Sequence, residues 1–183
     1  MEDWLRRADA AQPLDLVIAN AGVDGASAPP DERLRAILRI NVDGVVNTIE
    51  PALALMLPRQ RGQIAIMASL AGFVGMPGAP AYGASKAAVR SLGEALRVRH
   101  APEGIEVSVV CPGFVRSRMT AENRFPMPFL WDAGRAARHI ARALARNRGR
   151  IAFPLPMYLG VRVLQLLPTP ILERLLARAP RKL

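Results

Sequence analysis

The sequence predicts an α/β chain built on a parallel sheet, and three observations carry that prediction. Short, mostly apolar runs at 14–19, 63–68, 106–111 and 150–153 read as strands of the near-continuous hydrophobic kind that parallel sheets bury on both faces. Asn20-Ala21-Gly22 and Pro112-Gly113 close two of these runs as exit loops. Helical patterns lie between the runs, giving the strand–helix alternation of an α/β fold. With 183 residues, 51% of them hydrophobic, the chain can bury one sizeable core, so a single domain over 1–183 is expected.

Glu2 to Ala11 reads as a helix, with Trp4, Leu5 and Ala8 at helical spacing. After the first strand, Val23 to Pro30 is rich in Gly, Ala and Pro and reads as a loop. Asp31 then opens a long helix from Glu32 to Leu57, which Pro58 ends. Asn41 and Asn47 lie inside it, where asparagine competes for backbone groups and so needs a reason to be present. The second strand delivers Ser69 at its carboxyl end, where open α/β sheets gather their chemistry. Gly72, Gly75, Pro77 and Gly78 bridge to a helix that carries Tyr82 and runs to His100.

The third strand ends at Cys111. Arg118 to Leu130, with Phe125, Pro126, Pro128 and Phe129, reads as a mobile lid over a substrate. Trp131 to Asn147 is expected to be a helix and Arg150 to Phe153 the last strand. The tail, 154–183, has apolar helical stretches at 158–167 and 171–179, separated by Pro168-Thr169-Pro170. Leu159, Val163, Leu166, Leu167, Leu172, Leu175 and Leu176 make its apolar faces, with arginines beside them. Such a stripe is expected to join the core or a subunit contact; peripheral contact with a membrane interface is the alternative.

Tyr82 and Lys86 are four residues apart, which stacks two side chains on one helical face. A cation beside a phenol favours the phenolate, so the expected effect is a tyrosine pKa lowered toward working pH. A tyrosine tuned in this way can give or take a proton at a substrate oxygen. Of 25 basic residues only Lys86 and Lys182 are lysine, so position 86 has a compact ammonium where the chain otherwise uses arginine.

Ala81-Tyr82-Gly83-Ala84-Ser85-Lys86, with Ser69 thirteen residues before Tyr82, resembles the active-site segment of the short-chain dehydrogenase/reductase family. Asn20-Ala21-Gly22, Asn41 in Arg39-Ile40-Asn41-Val42-Asp43-Gly44, and Pro112-Gly113-Phe114-Val115-Arg116-Ser117 resemble further segments of that family in the same order. Ser117 stands where threonine is usual and keeps the hydroxyl. The resemblance covers Pro13 to Ser117, and more loosely the rest.

It implies a Rossmann-like doubly wound parallel sheet and an oxidoreductase that uses NAD or NADP on a small alcohol or ketone, with the apolar lid leaning toward a hydrophobic one. By the same resemblance Tyr82 is the general acid/base, Lys86 lowers its pKa and holds the nicotinamide ribose, Ser69 polarises the carbonyl, and Asn41 orders a relay water. Asn20, Ala21 and Gly22 lie along the cofactor, with Asn20 helping to hold the central strands, while Pro112, Gly113, Val115 and Ser117 lie near the nicotinamide amide. For a complete chain, assembly as a homo-oligomer is implied as well.

No glycine-rich phosphate loop stands between a strand and a helix. The resemblance therefore implies a sheet truncated at the N-terminus, with about four parallel strands and an exposed first strand. A catalytically inactive family member, acting if at all through an interaction or a membrane, is the alternative function.

The net charge of +10 is lopsided. Residues 1–113 hold 11 basic and 12 acidic side chains, whereas residues 114–183 hold 14 and 3, a net of +11. A solvated arginine-rich surface is the expectation, with anionic lipid head groups or acidic partners as the alternative. Nucleic acid is not expected as a partner, because no binding motif is present and few aromatics interleave with the arginines. Cys111 is the only cysteine, which suits a reducing cytosol and thus a cytoplasmic protein. No leader-like apolar segment opens the chain, no apolar run reaches spanning length, and no cluster has metal-ligand spacing.

Overall fold

The structure, a computed structural model, describes residues 1–24, 33–121, 123 and 125–177. The expected loop at 25–30, the start of the following helix, two lid positions and the end of the tail lie outside the described residues. Strands β1 (Leu16–Ala19), β2 (Gly62–Met67), β3 (Ile105–Pro112) and β4 (Arg150–Phe153) form one parallel sheet in that order. The register pairs Val17 with Ile64, Ile64 with Val107, and Val110 with Ile151. All four strands are the ones the sequence predicts, but β1 starts later than expected. Leu14 instead gives its N–H to Asp9 and its carbonyl to Arg59, forming a corner beneath the strand.

The helices are α1 (Glu2–Ala11), α2 (Arg33–Leu38), α3 (Gly44–Met56), α4 (Pro80–His100), α5 (Arg118–Ala121), α6 (Ala133–Leu144), α7 (Leu155–Leu166) and α8 (Thr169–Leu176). Side-chain alternation along the strands divides the core. Ile64, Ile66, Val107 and Val109 pack with Val45, Ile49 and Val89 of α3 and α4. Ala65, Val110, Ile151 and Phe153 pack with Ala136, Ala143 and Leu144 of α6 on the other face.

The long helix differs from expectation. Residues 33–59 stay helical throughout, but Arg39–Asp43 form a π turn between α2 and α3. The buried Asn41 sits in that turn and bonds inward to two distant segments, so a tertiary demand has displaced the regular ladder. Pro58 does not end the helix at Leu57. It enters a 3₁₀ turn, Leu57–Arg59, at a position where its missing N–H leaves no bond unmade. By length and composition this helix could also cross a bilayer, contrary to expectation; here Val45, Ile49, Ala52 and Met56 are buried in the core.

Trp131 is not helical. It bridges in parallel to Val115 and stacks on Phe153 with ring centroids 4.9 Å apart. The helix starts at Ala133 because Asp132 caps it, accepting the Arg135 N–H at 2.7 Å. It stops at Leu144, and Asn147 turns the chain with a φ of 47°.

In the tail, the face of α7 that meets the core is Met157, Tyr158, Val161 and Leu164, continued by Leu172 and Leu176 of α8. Leu159, Val163 and Leu166 are 53, 58 and 81% exposed, and Leu175 is exposed too. The expected core placement therefore fails for that stripe. The helix is apolar on opposite sides, and only one side can face the sheet.

Among the described residues β1 pairs on one side only, and Ile18 is 49% exposed at this edge. Beside it a groove of about 510 Å³ runs along the sheet past Leu16, Ile18, Ala65 and Met67 to Ile140 and Ala141 of α6.

Candidate active site

Ser69 leaves β2 in extended backbone and caps a short 3₁₀ turn, Leu70–Gly72, where its Oγ accepts the Ala71 N–H at 3.1 Å. The same Oγ donates to the Pro112 carbonyl at the end of β3, at 3.4 Å. This turn lies directly on the α4 backbone. A Cβ at Gly72 would stand 2.6 Å from the Lys86 carbonyl carbon, so only glycine permits the approach. Pro80 starts α4 where a missing N–H costs nothing. Tyr82 and Lys86 follow one turn apart on α4, with the Ser69 hydroxyl close enough to Tyr82 to favour its ionised form.

Lys86 is 4% exposed. Its Nζ donates to the Met67 carbonyl at 2.9 Å and lies 5.7 Å from the Tyr82 ring centroid. Among the described residues no carboxylate pairs with it within 4 Å. Burial pushes the ammonium down to about 8, which leaves it charged at neutral pH. Gly22 covers it, since a Cβ there would come within 3.1 Å of Nζ.

The expected lowering of Tyr82 is not what this arrangement produces. Burial lifts the phenol above the ordinary tyrosine range, the Ser69 hydrogen bond works in the opposite direction, and the Asp24 carboxylate adds to the rise. The Lys86 ammonium lies 5.7 Å from the centre of the Tyr82 ring, and desolvation of the phenolate sets the direction of the shift.

Asn41 is brought to the same place, and both of its amide protons are taken up within the chain. Oδ1 accepts the Val23 N–H at 2.7 Å, and Nδ2 donates to the Val23 carbonyl and to Ser85 Oγ, both at 2.9 Å. Both amide protons are donated within the chain, so the expected relay water would be held by donating to an Asn41 oxygen. Ser85, fully buried, passes the link on by donating to the Tyr82 carbonyl at 2.7 Å. Asn41 thus ties the exit loop of β1 to the helix that carries Tyr82. Sequence reasoning missed Ser85 and the Met67 carbonyl. Ser85 had a signal, since it lies three residues after Tyr82 within the same motif.

Asn20 is exposed beside the edge groove and, among the described residues, holds no neighbouring strand through its side chain. Ala21 lies under Gly44, where an added Cβ would stand 2.9 Å from its methyl. Gly113 gives its N–H to the Phe153 carbonyl and leaves room for Met157. Val115 bridges to Trp131, and Ser117 is exposed and engaged with Thr120. Asn41, Ser69, Tyr82, Lys86 and Gly22 are therefore brought together, while Asn20 and Ser117 lie outside that cluster.

The profile of the short chain dehydrogenase family matches residues 1–127. An uncharacterized oxidoreductase of Myxococcus xanthus is 40% identical over 173 residues, covering 92% of this chain and 68% of the relative. NAD+-bound xylitol dehydrogenase is 28% identical, with a TM-score of 0.60 over 66% of this chain and 48% of that one. A short chain dehydrogenase from Burkholderia cenocepacia in complex with NADP reaches a TM-score of 0.79 at 22% identity, covering 96 and 76% of the two chains. The chain spans about two thirds of the length of the curated relatives it matches most fully.

Proposed function

The chain belongs to the short-chain dehydrogenase family, and from that premise we propose that it carries the proton-transfer site of an oxidoreductase interconverting a hydroxyl and a carbonyl group. The observation behind this is the grouping of buried Ser69 and Lys86 with half-buried Tyr82 at the carboxyl end of β2. Tyr82 Oη gives the proton to a carbonyl oxygen in reduction and takes it back in oxidation. Ser69 Oγ hydrogen-bonds the same oxygen and holds it against Tyr82. Lys86 keeps a positive charge beside the phenol ring as its proton leaves, and Asn41 acts as a positioning residue through Ser85.

The site fits NAD or NADP in one structural respect. The exit loops of β1, β2 and β3 open side by side at the strands' carboxyl ends, where α/β sheets bind nucleotides. Asn20, Ala21, Gly22, Tyr82, Lys86, Pro112, Gly113, Val115 and Ser117 would hold the nicotinamide half, which supplies the hydride. A hydrophobic secondary alcohol or ketone suits the apolar segment around Phe125, whose ring meets Phe114 edge-on. Assembly into a homo-oligomer and a cytoplasmic location are part of the same reading.

The test is nicotinamide absorbance with secondary alcohols and ketones, alongside direct titration with NADH and NADPH. Tyr82→Phe is expected to lower kcat by about 100-fold or more with nucleotide affinity retained; full turnover by that variant overturns the assignment. The second reading, a non-catalytic member, is favoured by the unpaired apolar edge at Ile18. Failure to bind either nucleotide would select it.

A further inference from the structure

The exposed side of α7 is a surface in search of a partner. Leu155, Leu159, Val163 and Leu166 recur every three to four residues and form one continuous exposed stripe. Ile171 and Leu175 of α8 are exposed as well. The opposite side of α7 already packs on the core through Tyr158, Val161 and Leu164. A helix apolar on two opposite sides is covered on both in its working state.

Charge identifies the cover. From residue 154 onward the sequence holds four arginines and one lysine against the single acid Glu173, and Arg162 and Arg174 stand exposed beside the stripe. A second copy docking on this face would bring together two halves that each carry a net of +11, without an acidic row to offset the repulsion. An anionic lipid surface offers both an apolar layer for the leucines and negative head groups for the arginines. At 12 residues α7 is only about 18 Å long and Pro168 follows it, so the helix would lie in the interface and not cross it.

We propose that the α7–α8 surface docks the protein on anionic membranes, inserting Leu155, Leu159, Val163 and Leu166 among the lipids with Arg162 and Arg174 at the head groups. The proposal is independent of the nucleotide and the redox reaction.

The test is flotation of the full chain with vesicles of equal parts phosphatidylcholine and phosphatidylglycerol, and with phosphatidylcholine alone. Binding is expected to the anionic vesicles only and to weaken as salt is raised. The doubly substituted Leu159→Glu/Val163→Glu chain should not float, and its circular dichroism should be unchanged because both sites are exposed. Arg162→Gln and Arg174→Gln should each weaken binding about fivefold, which decides the matter even if the glutamate variant fails to fold. Absence of flotation, flotation indifferent to these changes, or equal binding to neutral vesicles overturns the proposal. A dimer in sedimentation that Val163→Glu dissolves, with no flotation, assigns the face to a second copy instead.

Discussion

Replacing Lys86 by methionine isolates the energetic cost of the buried charge. The ammonium sits at about 8 in the folded chain against an ordinary 10.5, with burial as the cause. Between those values the unfolded chain binds a proton that the folded chain does not. Stability therefore rises with pH across the window from about 8 to 10.5. Taken over both titrations between pH 7 and pH 10, the wild-type chain gains roughly 2–3 kcal/mol. Other titrating groups contribute too, notably Cys111, whose thiol burial pushes up to about 12 from an ordinary 9. That shift has the opposite sign and removes stability as pH rises through 9. Such contributions are common to both proteins and cancel when Lys86→Met is compared with wild type at each pH. The assay is urea unfolding of both chains at pH 7 and pH 10. Wild type should gain roughly 2–3 kcal/mol relative to the variant on going to pH 10. A difference between the proteins that is the same at both pH values would refute the claim that Lys86 is held as a desolvated ammonium.

Three further outcomes follow from the packing. Gly72→Ala drives a methyl to within 2.6–2.8 Å of the α4 backbone, so it should cost about 1–3 kcal/mol and lower Tm by several degrees, whereas Gly75→Ala meets nothing within 4 Å and should leave Tm unmoved. Ser85→Ala strands a buried amide proton of Asn41 and should cost about 1–3 kcal/mol in urea titrations; a neutral result would remove Ser85 from the link. Ile18→Lys puts a charge on the unpaired edge of β1 and should suppress concentration-dependent association in light scattering with little change in Tm.

The strands were legible because a parallel strand buried on both faces writes itself as a mostly apolar run without strict alternation, as at 106–111. The Tyr82–Lys86 stack was legible because it needs only helical spacing. What escaped was set by partners distant in sequence. The π turn exists because Asn41 reaches Val23 and Ser85, 18 and 44 residues away, and no local pattern of residues 32–57 records that. Tyr82 moved the opposite way from expectation because spacing shows which cation is near and not how much water is lost. In the tail, composition identified apolar residues on α7 but could not choose which side the core would take. The start of α6 was a different kind of miss: Asp132 before Ala133-Gly134-Arg135 is a readable cap signal.

The choice of lysine at position 86 ties these threads together. Twenty-three of the chain's 25 basic residues are arginine, and the arginines that reach inward, Arg59 and Arg97, each spread several donors over carbonyls or a carboxylate. Lys86 has one hydrogen bond, to Met67, and no carboxylate partner among the described residues. A guanidinium would bring five donors into a space that Gly22 narrows to 3.1 Å from Nζ, and it would not titrate anywhere near neutrality. An apolar side chain of the same length would avoid the desolvation penalty altogether. Neither stability nor general basic character accounts for an ammonium here. What it uniquely provides is a compact charge with a pKa of about 8 beside the Tyr82 ring, and a folding cost carried at one position in this way is characteristic of a site kept for chemistry.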